Sequence, residues 1–475
     1  ATAGDVNGDG YGDVLVGDHY YSNGQTSEGA AFVYLGSPLG LGTSAAWSAE
    51  SDQANAWFGY SVSSAGDVDG DGYGDVIVGA CSYQNGEYQE GAAFVYSGSA
   101  GGLSTSPAWT AESNEAGALF GYSVSAAGDV DADGYDDVII GAPAHDDNRG
   151  RSFVYLGSAS GLASTPAWTV TGSQSAGFFG FPVATAGDVD GDGFGDVLVG
   201  AIFHSSSGLV LNGRAFAYMG SANGLSTNAA WTADGSASNE WFGICLATAG
   251  DVDGDGYADV IASNPGFSDG HGYAFAYLGS VAGLATDPAW TGPGSADVLG
   301  GFGWSCSSAG DVDGDGHADV IVGGISNASG NEGSAFVFLG EDCSGQGTPY
   351  CSANANSSGA PAEISAWCSS STAAGELRLQ ASSVPDTAGL FFHGSNPAQV
   401  QFGNGFRCTT GQIARGAVTA GILEIATYRF DGSDPKHDLG LYVGSTRHFQ
   451  YWFRDPAAGG AFFNTSDALS IVIQP

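Results

Sequence analysis

The sequence predicts an all-β chain: a β-propeller of six blades, with seven left open, followed by a C-terminal β-sandwich. Three observations predict it. An acidic loop recurs six times, starting at Asp5, Asp67, Asp129, Asp188, Asp251 and Asp311, at intervals of 62, 62, 59, 63 and 60 residues. Each copy sits among four short strand-like segments in a constant order, and glycine-rich turns divide those segments, 80 of the 475 residues being glycine. A period near 60 residues is one supersecondary unit, and four short antiparallel strands per unit describe a propeller blade.

Within a repeat the first strand ends in Ala-Gly-Asp, as in WFGYSVSSAGD from Trp57, LFGYSVSAAGD from Leu119, FFGFPVATAGD from Phe178, WFGICLATAGD from Trp241 and GFGWSCSSAGD from Gly301. The acidic loop follows and runs into a β-branched second strand (DVLVG, DVIVG, DVIIG, DVLVG, DVIAS, DVIVG). After a variable loop comes an apolar third strand, AAFVYLGS from Ala30 and its counterparts from Ala92, Arg151, Arg214, Tyr273 and Ser334. The outer strand is marked by Trp47, Trp109, Trp168, Trp231 and Trp290. That tryptophan recurs at one blade position, so packing between neighbouring blades is its expected role. Trp57 and Trp241 are irregular across the repeats and are the better candidates to meet a ligand.

The loops read DVNGDGYGD, DVDGDGYGD, DVDADGYDD, DVDGDGFGD, DVDGDGYAD and DVDGDGHAD. Side chains at positions 1, 3 and 5 turn inward, glycine at position 6 permits the bend, position 7 offers its carbonyl and position 9 adds a carboxylate. The expected ligands are Asp5, Asn7, Asp9, Tyr11 and Asp13; Asp67, Asp69, Asp71, Tyr73 and Asp75; and Asp129, Asp131, Asp133, Tyr135 and Asp137. The later loops supply Asp188, Asp190, Asp192, Phe194 and Asp196; Asp251, Asp253, Asp255, Tyr257 and Asp259; and Asp311, Asp313, Asp315, His317 and Asp319. An all-oxygen set suits a hard cation with six to eight ligands, Ca²⁺ rather than Mg²⁺. Turn preference alone also gathers Asp and Gly, but six copies in register are not explained by it. About six Ca²⁺ are expected.

Charge separates two regions. Residues 1–342 hold 42 acids against Arg149, Arg151 and Arg214, whereas 343–475 hold 9 acids against 7 bases, within a formal net charge of −41. Twenty-three acids stand at ligand positions of the loops, and six Ca²⁺ would leave a charge of about −29, which disfavours nucleic acid and anionic membrane surfaces as partners. No stretch approaches the ~18 consecutive apolar residues of a membrane span.

The F-G strand, the DxDxDGxxD loop and the run ending in Gly-Ala at Gly79 and Gly141 resemble the FG-GAP repeats of integrin alpha-chain β-propellers and of many secreted bacterial proteins, over residues 1–340. The resemblance implies that the metal loops lie on one face, while loops 18–29, 81–91, 143–150, 202–213, 263–272 and 324–333 build the opposite, ligand-binding face. Integrins carry seven such repeats, only some of which bind calcium; here six are present, all with complete loops. The chain opens at ATAGD, without the F-G strand that precedes every later loop, and GEDCSG follows the last repeat where an Ala-Trp strand is expected. Blade 1 is therefore expected to lack its innermost strand, to be filled from an upstream segment, from another copy of the protein, or from a run such as Ser470–Ile473.

Residues 341–362 (SGQGTPYCSANANSSGAPA at their core) read as a linker, and 363–475 as the sandwich, through ELRLQASSV, GLFFHGS, ILEIATYRF, LGLYVGS, HFQYWFRD and ALSIVI. The run from Pro349 resembles a C-terminal module of large secreted bacterial proteins, through PYCSANANSSGAPAEISAWCSSS, GFRCTTGQIARG, QYWFRDP and FNTSDALSIVI, implying attachment, sorting or assembly. Cys343, Cys351, Cys368 and Cys408 allow three pairings. The resemblance covers Cys351 and Cys408, which implies that they pair and leaves Cys343 with Cys368. Cys81, Cys245 and Cys306 are expected as buried thiols.

Catalytic signals are few. His19, His145, His204 and His271 fall in the ligand-face loops but at no common repeat position, and solvated loop residues are the expected reading; His145-Asp146-Asp147 is the one polar cluster that invites an acid-base role. The sequence supports a non-enzymatic, secreted, calcium-stabilised protein that acts in adhesion or as a surface structural component. Its partners would be an extracellular protein, a glycan or copies of itself. The alternative is a secreted polysaccharide hydrolase or lyase on the same scaffold.

Overall fold

In the computed structural model of the chain, the β-branched run after each acidic loop is the second strand of an antiparallel blade. Described are residues 1–265, 272–293, 301–325 and 333–340, together with the backbone of strands within 348–472. Blade 2 shows the plan: Phe58–Gly66, Asp75–Ala80, Ala92–Tyr96 and Trp109–Glu112 pair in sequence order. Blade 3 repeats it with Ser123–Gly128, Asp137–Ala142, Arg151–Tyr155 and Trp168–Thr171, and blade 4 with Phe179–Gly187, Asp196–Ala201, Arg214–Tyr218 and Trp231–Asp234. Blade 5 uses Leu246–Gly250, Asp259–Asn264, Tyr273–Tyr277 and Trp290–Pro293; blade 6 has three described strands, Phe302–Gly310, Asp319–Gly324 and Ser334–Phe338. The fold is thus an all-β propeller of six blades.

Blade 1 meets one expectation in part. The end of its innermost strand is present: Thr2–Gly4 pairs with Asp13–Asp18, which pairs in turn with Ala30–Tyr34 and then Trp47–Glu50. These three residues take the place of Ser64–Gly66 in blade 2, whose first strand Phe58–Gly66 runs nine residues, and they do not include the F-G part. Ser470 pairs with His448 and Thr348 instead.

The core lies between blades. Successive strand side chains point to opposite faces, so Val76 and Val78 pack with Ala3, Leu15 and Val33 of blade 1, while Ile77 packs with Phe120, Val138 and Ile140 of blade 3. Similar clusters fill the next three junctions. The paired glycines of the repeat have a steric origin: a Cβ on Gly79 would stand 2.0 Å from the Gly121 carbonyl oxygen of the next blade. The outer tryptophans join blades as expected. Trp47, Trp109, Trp168 and Trp231 each donate Nε1–H to a carbonyl of the following blade at 2.8–2.9 Å and set their rings edge-on to Tyr96, Tyr155, Tyr218 and Tyr277.

The two end faces differ from these junctions. Val16 on blade 1 is 43% exposed although its counterpart Val78 is buried, and Val312 and Val337 on blade 6 are 56% and 48% exposed although Val68 and Val95 are buried. Among the described residues no apolar cluster joins blade 6 to blade 1.

Residues 341–475 belong to a second compact unit. Its described strands pair antiparallel: a five-stranded sheet in the order Thr348–Cys351, Phe463–Val472, Thr446–Arg454, Ala388–Gly394 and Ala414–Ala420; a three-stranded sheet of Glu363–Trp367, Leu377–Ser382 and Ala426–Phe430; and the hairpin Asn396–Phe402 with Gly405–Thr410. Thr348–Cys351 lies inside the stretch read as a linker. The side chains of Cys343, Cys351, Cys368 and Cys408, and hence both pairings expected of them, lie outside the described residues.

Candidate metal centres and the opposite rim

Each loop is wound by its own carboxylates. In loop 2 the Asp67 carboxylate accepts the backbone N–H groups of Gly70, Asp71 and Gly72 at 2.8, 3.1 and 2.9 Å, and Asp71 accepts that of Tyr73 at 3.0 Å. Loops 4 and 6 repeat the pattern. Positive φ at Gly70 (72°) and Gly72 (90°) permits the bend. This winding gathers oxygens: one from each of Asp67, Asp69 and Asp71 lies within 4.8 Å of the others, as do those of Asp129, Asp131 and Asp137, of Asp188, Asp190 and Asp196, of Asp251, Asp253 and Asp255, and of Asp311, Asp313 and Asp315.

The donor set fits a hard cation. The position-3 oxygens Asp69 Oδ1, Asp131 Oδ1 and Asp190 Oδ1 are buried without a hydrogen-bond partner. Such groups are costly unless something satisfies them. Burial and then the flanking carboxylates raise the pKa of all three carboxyls above the ordinary range, making them weaker acids. A divalent ion held by these carboxylates would remove both penalties. In loops 5 and 6 the position-3 Oδ1 accepts the position-5 N–H at 3.3 and 3.2 Å, and in loop 1 Asn7 turns its amide nitrogen to Asp9 Oδ2 at 3.0 Å.

Position 9 has a second task that the sequence did not reveal. Asp75 is fully buried; its Oδ2 accepts the Val68 N–H at 2.9 Å and its Oδ1 the Gly98 N–H at 2.8 Å. Asp13, Asp137, Asp196, Asp259 and Asp319 do the same in their blades. The carboxylate therefore pins the metal loop to the turn after the third strand. Burial, opposed by those two N–H donors, pushes the carboxyls of Asp75, Asp137 and Asp196 up to about 7 in the metal-free chain.

The opposite rim is irregular. Tyr60, Tyr122 and Phe181, each two residues beyond the Phe of F-G, form an arc with ring centroids 4.7 Å apart and a 2.7 Å bond between the two tyrosine hydroxyls. His19 lies 5.1 Å from Tyr60, and the Trp57 ring is stacked 6.1 Å from it. Tyr20 is 65% exposed beside His19 and Trp57. Farther round, Phe203 bridges Phe178 and Trp241 at 5.1 and 5.2 Å. The arc had a signal, a recurring aromatic at one offset, which the F-G motif beside it masked.

Two expectations fail here. His145 and His204 are buried, not solvated. His145 lies in a tight turn where Asp146 and Asp147 are left-handed (φ 51° and 54°), and its Nε2 meets Glu115 Oε2 at 2.8 Å. Desolvation, reinforced by Arg151 and opposed by Glu115, lowers its basicity. His271 lies outside the described residues. Cys245 and Cys306 are not free thiols but a disulfide joining the inner strands of blades 5 and 6, with Cα atoms 5.8 Å apart; Cys81 is the buried free thiol. The pair occupies the contact that elsewhere joins a hydroxyl to an amide: Ser61 Oγ accepts Val124 N–H, and Ser123 Oγ accepts Val183 N–H, both at 3.0 Å. Adjacency around the axis, invisible in the spacing, brings the sulfurs together.

Comparison with known proteins agrees with this architecture. Residues 58–96 and 120–156 match the FG-GAP repeat and 251–322 the FG-GAP-like repeat. Integrin alpha-5 of Xenopus laevis is 32% identical over 225 residues, 45% of this chain and 20% of that protein; integrin alpha-PS2 of Drosophila melanogaster is 33% identical over 221 residues, 44% and 15%. Integrin alpha-V of Gallus gallus is 31% identical over 209 residues, 42% and 19%. A solved Bombyx mori GH32 beta-fructofuranosidase in complex with sucrose aligns over 84% of this chain and 85% of that one, at 11% identity and a TM-score of 0.28. The propeller is thus built of FG-GAP repeats and is similar to that of integrin alpha chains. The match spans a fifth or less of those integrin chains.

Proposed function

We propose that this chain is a non-enzymatic extracellular protein, stabilised by calcium, that uses the propeller as a rigid scaffold for adhesion or surface assembly. The observation that carries the reading is the contrast between rims: repeated carboxylate loops on one side, and on the other a partly exposed aromatic surface of His19, Tyr20, Trp57, Tyr60, Tyr122 and Phe181 that no other set of described blades repeats. Aromatic surface with few rotatable bonds suits recognition of protein or glycan. The buried pairing of His145 with Glu115 supports a structural role for the one polar cluster that resembled an acid-base group. The Cys245–Cys306 bond supports an oxidising compartment. Among the described residues no helix is long and apolar enough to cross a membrane.

Each of the six loops is proposed to hold one Ca²⁺ through positions 1, 3, 5 and 9 and the position-7 carbonyl. Loop 1, with Asn7, is expected to be the weakest. The test is binding of the full chain to arrayed matrix proteins and polysaccharides, with calcium and with chelator, alongside a polysaccharide-cleavage assay and particle images. Saturable binding without cleavage supports adhesion, and regular polymers support a surface filament. Cleavage that depends on Glu115 or His145 would instead establish the hydrolase reading.

A further inference from the structure

The metal loops are not separate. The position-8 amide of each loop donates to the position-1 carbonyl of the loop before it: Gly74 to Asp5 at 2.9 Å, Asp136 to Asp67 at 3.1 Å, Gly195 to Asp129 at 2.7 Å, Ala258 to Asp188 at 3.0 Å and Ala318 to Asp251 at 2.8 Å. At the second of these junctions Asp136 Oδ2 also accepts the Asp67 N–H at 2.8 Å. The position-7 side chain reaches the same neighbour. A Cβ on Gly8, Gly70 or Gly191 would strike the ring of Tyr73, Tyr135 or Tyr257 in the next loop at 2.6–2.7 Å. Tyr11 covers none of the described loops and is 40% exposed, whereas Tyr73, Tyr135, Phe194 and Tyr257 are half-buried.

We propose that these position-8 amides and position-7 rings are positioning groups that make metal binding positively cooperative from loop to loop around the propeller. The inference rests on the reading that the loops bind calcium. The reason is covalent geometry. The position-7 carbonyl, a ligand, and the position-8 N–H, the donor to the previous loop, belong to one planar peptide unit. An ion that fixes the carbonyl in one loop therefore also fixes the donor that holds the position-1 aspartate of the previous loop, whose carboxylate winds that loop. The effect is reciprocal, because a coupling free energy acts equally in both directions, and a loop ordered by its neighbour loses less entropy when its own ion arrives. Through-space electrostatics has the opposite sign: one bound divalent cation disfavours the next. The two are separable, since raising salt from about 0.15 M to 1 M shortens the screening length from about 8 Å to 3 Å and leaves hydrogen bonds in place.

The test is calorimetric titration of the full chain with Ca²⁺, in 0.15 M and 1 M salt, for the native sequence, Asp131→Ala, Asp313→Ala and Tyr135→Ser. The expected result is a Hill coefficient of about 2 or more that persists in high salt. Asp131→Ala, which interrupts loop 3 between two neighbours, should weaken two remaining sites by about fivefold or more, whereas Asp313→Ala at the end of the row should weaken one. Tyr135→Ser keeps every ligand of loop 3, whose contribution at position 7 is a carbonyl, and should lower the Hill coefficient with the stoichiometry unchanged. It also keeps the proposal falsifiable if the aspartate variants fail to fold. A Hill coefficient of 1 or below in high salt, or equal consequences of Asp131→Ala and Asp313→Ala, overturns the coupling while leaving calcium binding intact. No binding heat in the native chain overturns both readings.

Discussion

The two rims of the propeller are joined by the same strands yet follow different rules. On the metal rim, position for position and with Asn7 in place of one aspartate, the loops carry the same carboxylates, the same pinning of position 9 to two backbone amides and, from the second loop onward, the same bond to the preceding loop. On the opposite rim the connections differ in length and content: a left-handed turn with a buried histidine in blade 3, an aromatic group in blades 1 and 2, and Asn212 capping its own loop in blade 4. Repetition marks what every blade needs in order to stand beside the next. The opposite rim shares part of that obligation, since Phe58, Phe120, Phe179 and Phe242 each donate N–H to the carbonyl of Glu28, Glu90, Arg149 and Asn212 in the preceding blade at 3.0 Å, and irregularity is left to the side chains around those bonds.

Calcium removal tests that division most severely. A ligand at 100 times its Kd adds about 2.7 kcal/mol per site, so six sites would add on the order of 16 kcal/mol, comparable to the whole stability of an ordinary domain. Chelation should lower the melting temperature of the propeller by more than about 10 °C, read by scanning calorimetry. A shift of only a few degrees would mean that the repeated rim is held by its hydrogen bonds alone.

Next comes position 9. Asp137→Ala would strand the Val130 and Gly157 amides, each a buried unsatisfied donor worth about 1–3 kcal/mol. A loss of about 2–5 kcal/mol in chelator, measured by denaturant unfolding, is expected, and Asp137→Asn should lose less because one carbonyl oxygen remains. If both variants match the native chain without metal, the acid serves only as a ligand.

The disulfide is expected to matter less. It closes a separation of 61 residues, for which chain entropy gives about 4 kcal/mol as an upper figure. Cys245→Ser with Cys306→Ser recreates the hydroxyl contact of the Ser61 and Ser123 junctions, so a loss of about 2–3 kcal/mol is expected. An unchanged unfolding midpoint would show that blade 6 needs no staple.

Acidity should distinguish the rims by sign. The folded, metal-free carboxyls of Asp75, Asp137 and Asp196, raised to about 7, bind protons that the unfolded chain has released above about 4. Their contribution to stability is therefore full below the ordinary carboxylate range and lost as pH rises toward 7. His145 acts oppositely: lowered in the fold, it costs stability as pH falls through the ordinary histidine range. Melting in chelator across pH 4–8 should show the first trend in the native chain, with His145→Gln removing only the second. A metal-free chain that grows more stable from pH 4 to 7 would contradict the acid assignment.

How much of this the sequence disclosed follows the same division. Blade order, the carboxylate loops and the inter-blade tryptophans were legible because each is a periodic signal of local origin. The short strand Thr2–Gly4 had a signal too, the Thr-Ala-Gly that also ends the first strands of blades 4 and 5 at Gly187 and Gly250, but the expectation followed the F-G motif instead. The Cys245–Cys306 bond, the burial of His145 and His204, and the exposed faces at Val16 and Val337 depend on which blades become neighbours. No spacing within one repeat records that.

The smallest expected change in stability carries the most about the irregular rim. The residue before each F-G turns left-handed: Trp57, Leu119, Phe178 and Trp241 have φ of 57°, 59°, 57° and 56°. Bulky side chains resist this conformation by about 1–2 kcal/mol, and glycine is its ordinary occupant. A fold that needed only the turn would use glycine, as blade 6 does at Gly301 with φ 127°. Keeping Trp57 there places an indole against His19, Tyr20 and Tyr60. Trp57→Gly should therefore leave the melting temperature within about 2 °C of native, because relief of the backbone offsets lost ring contacts, while binding to whatever the arrays identify falls by at least about tenfold, as for an aromatic anchor. A large drop in melting temperature with binding retained would make Trp57 part of the scaffold and move the recognition surface elsewhere on the rim.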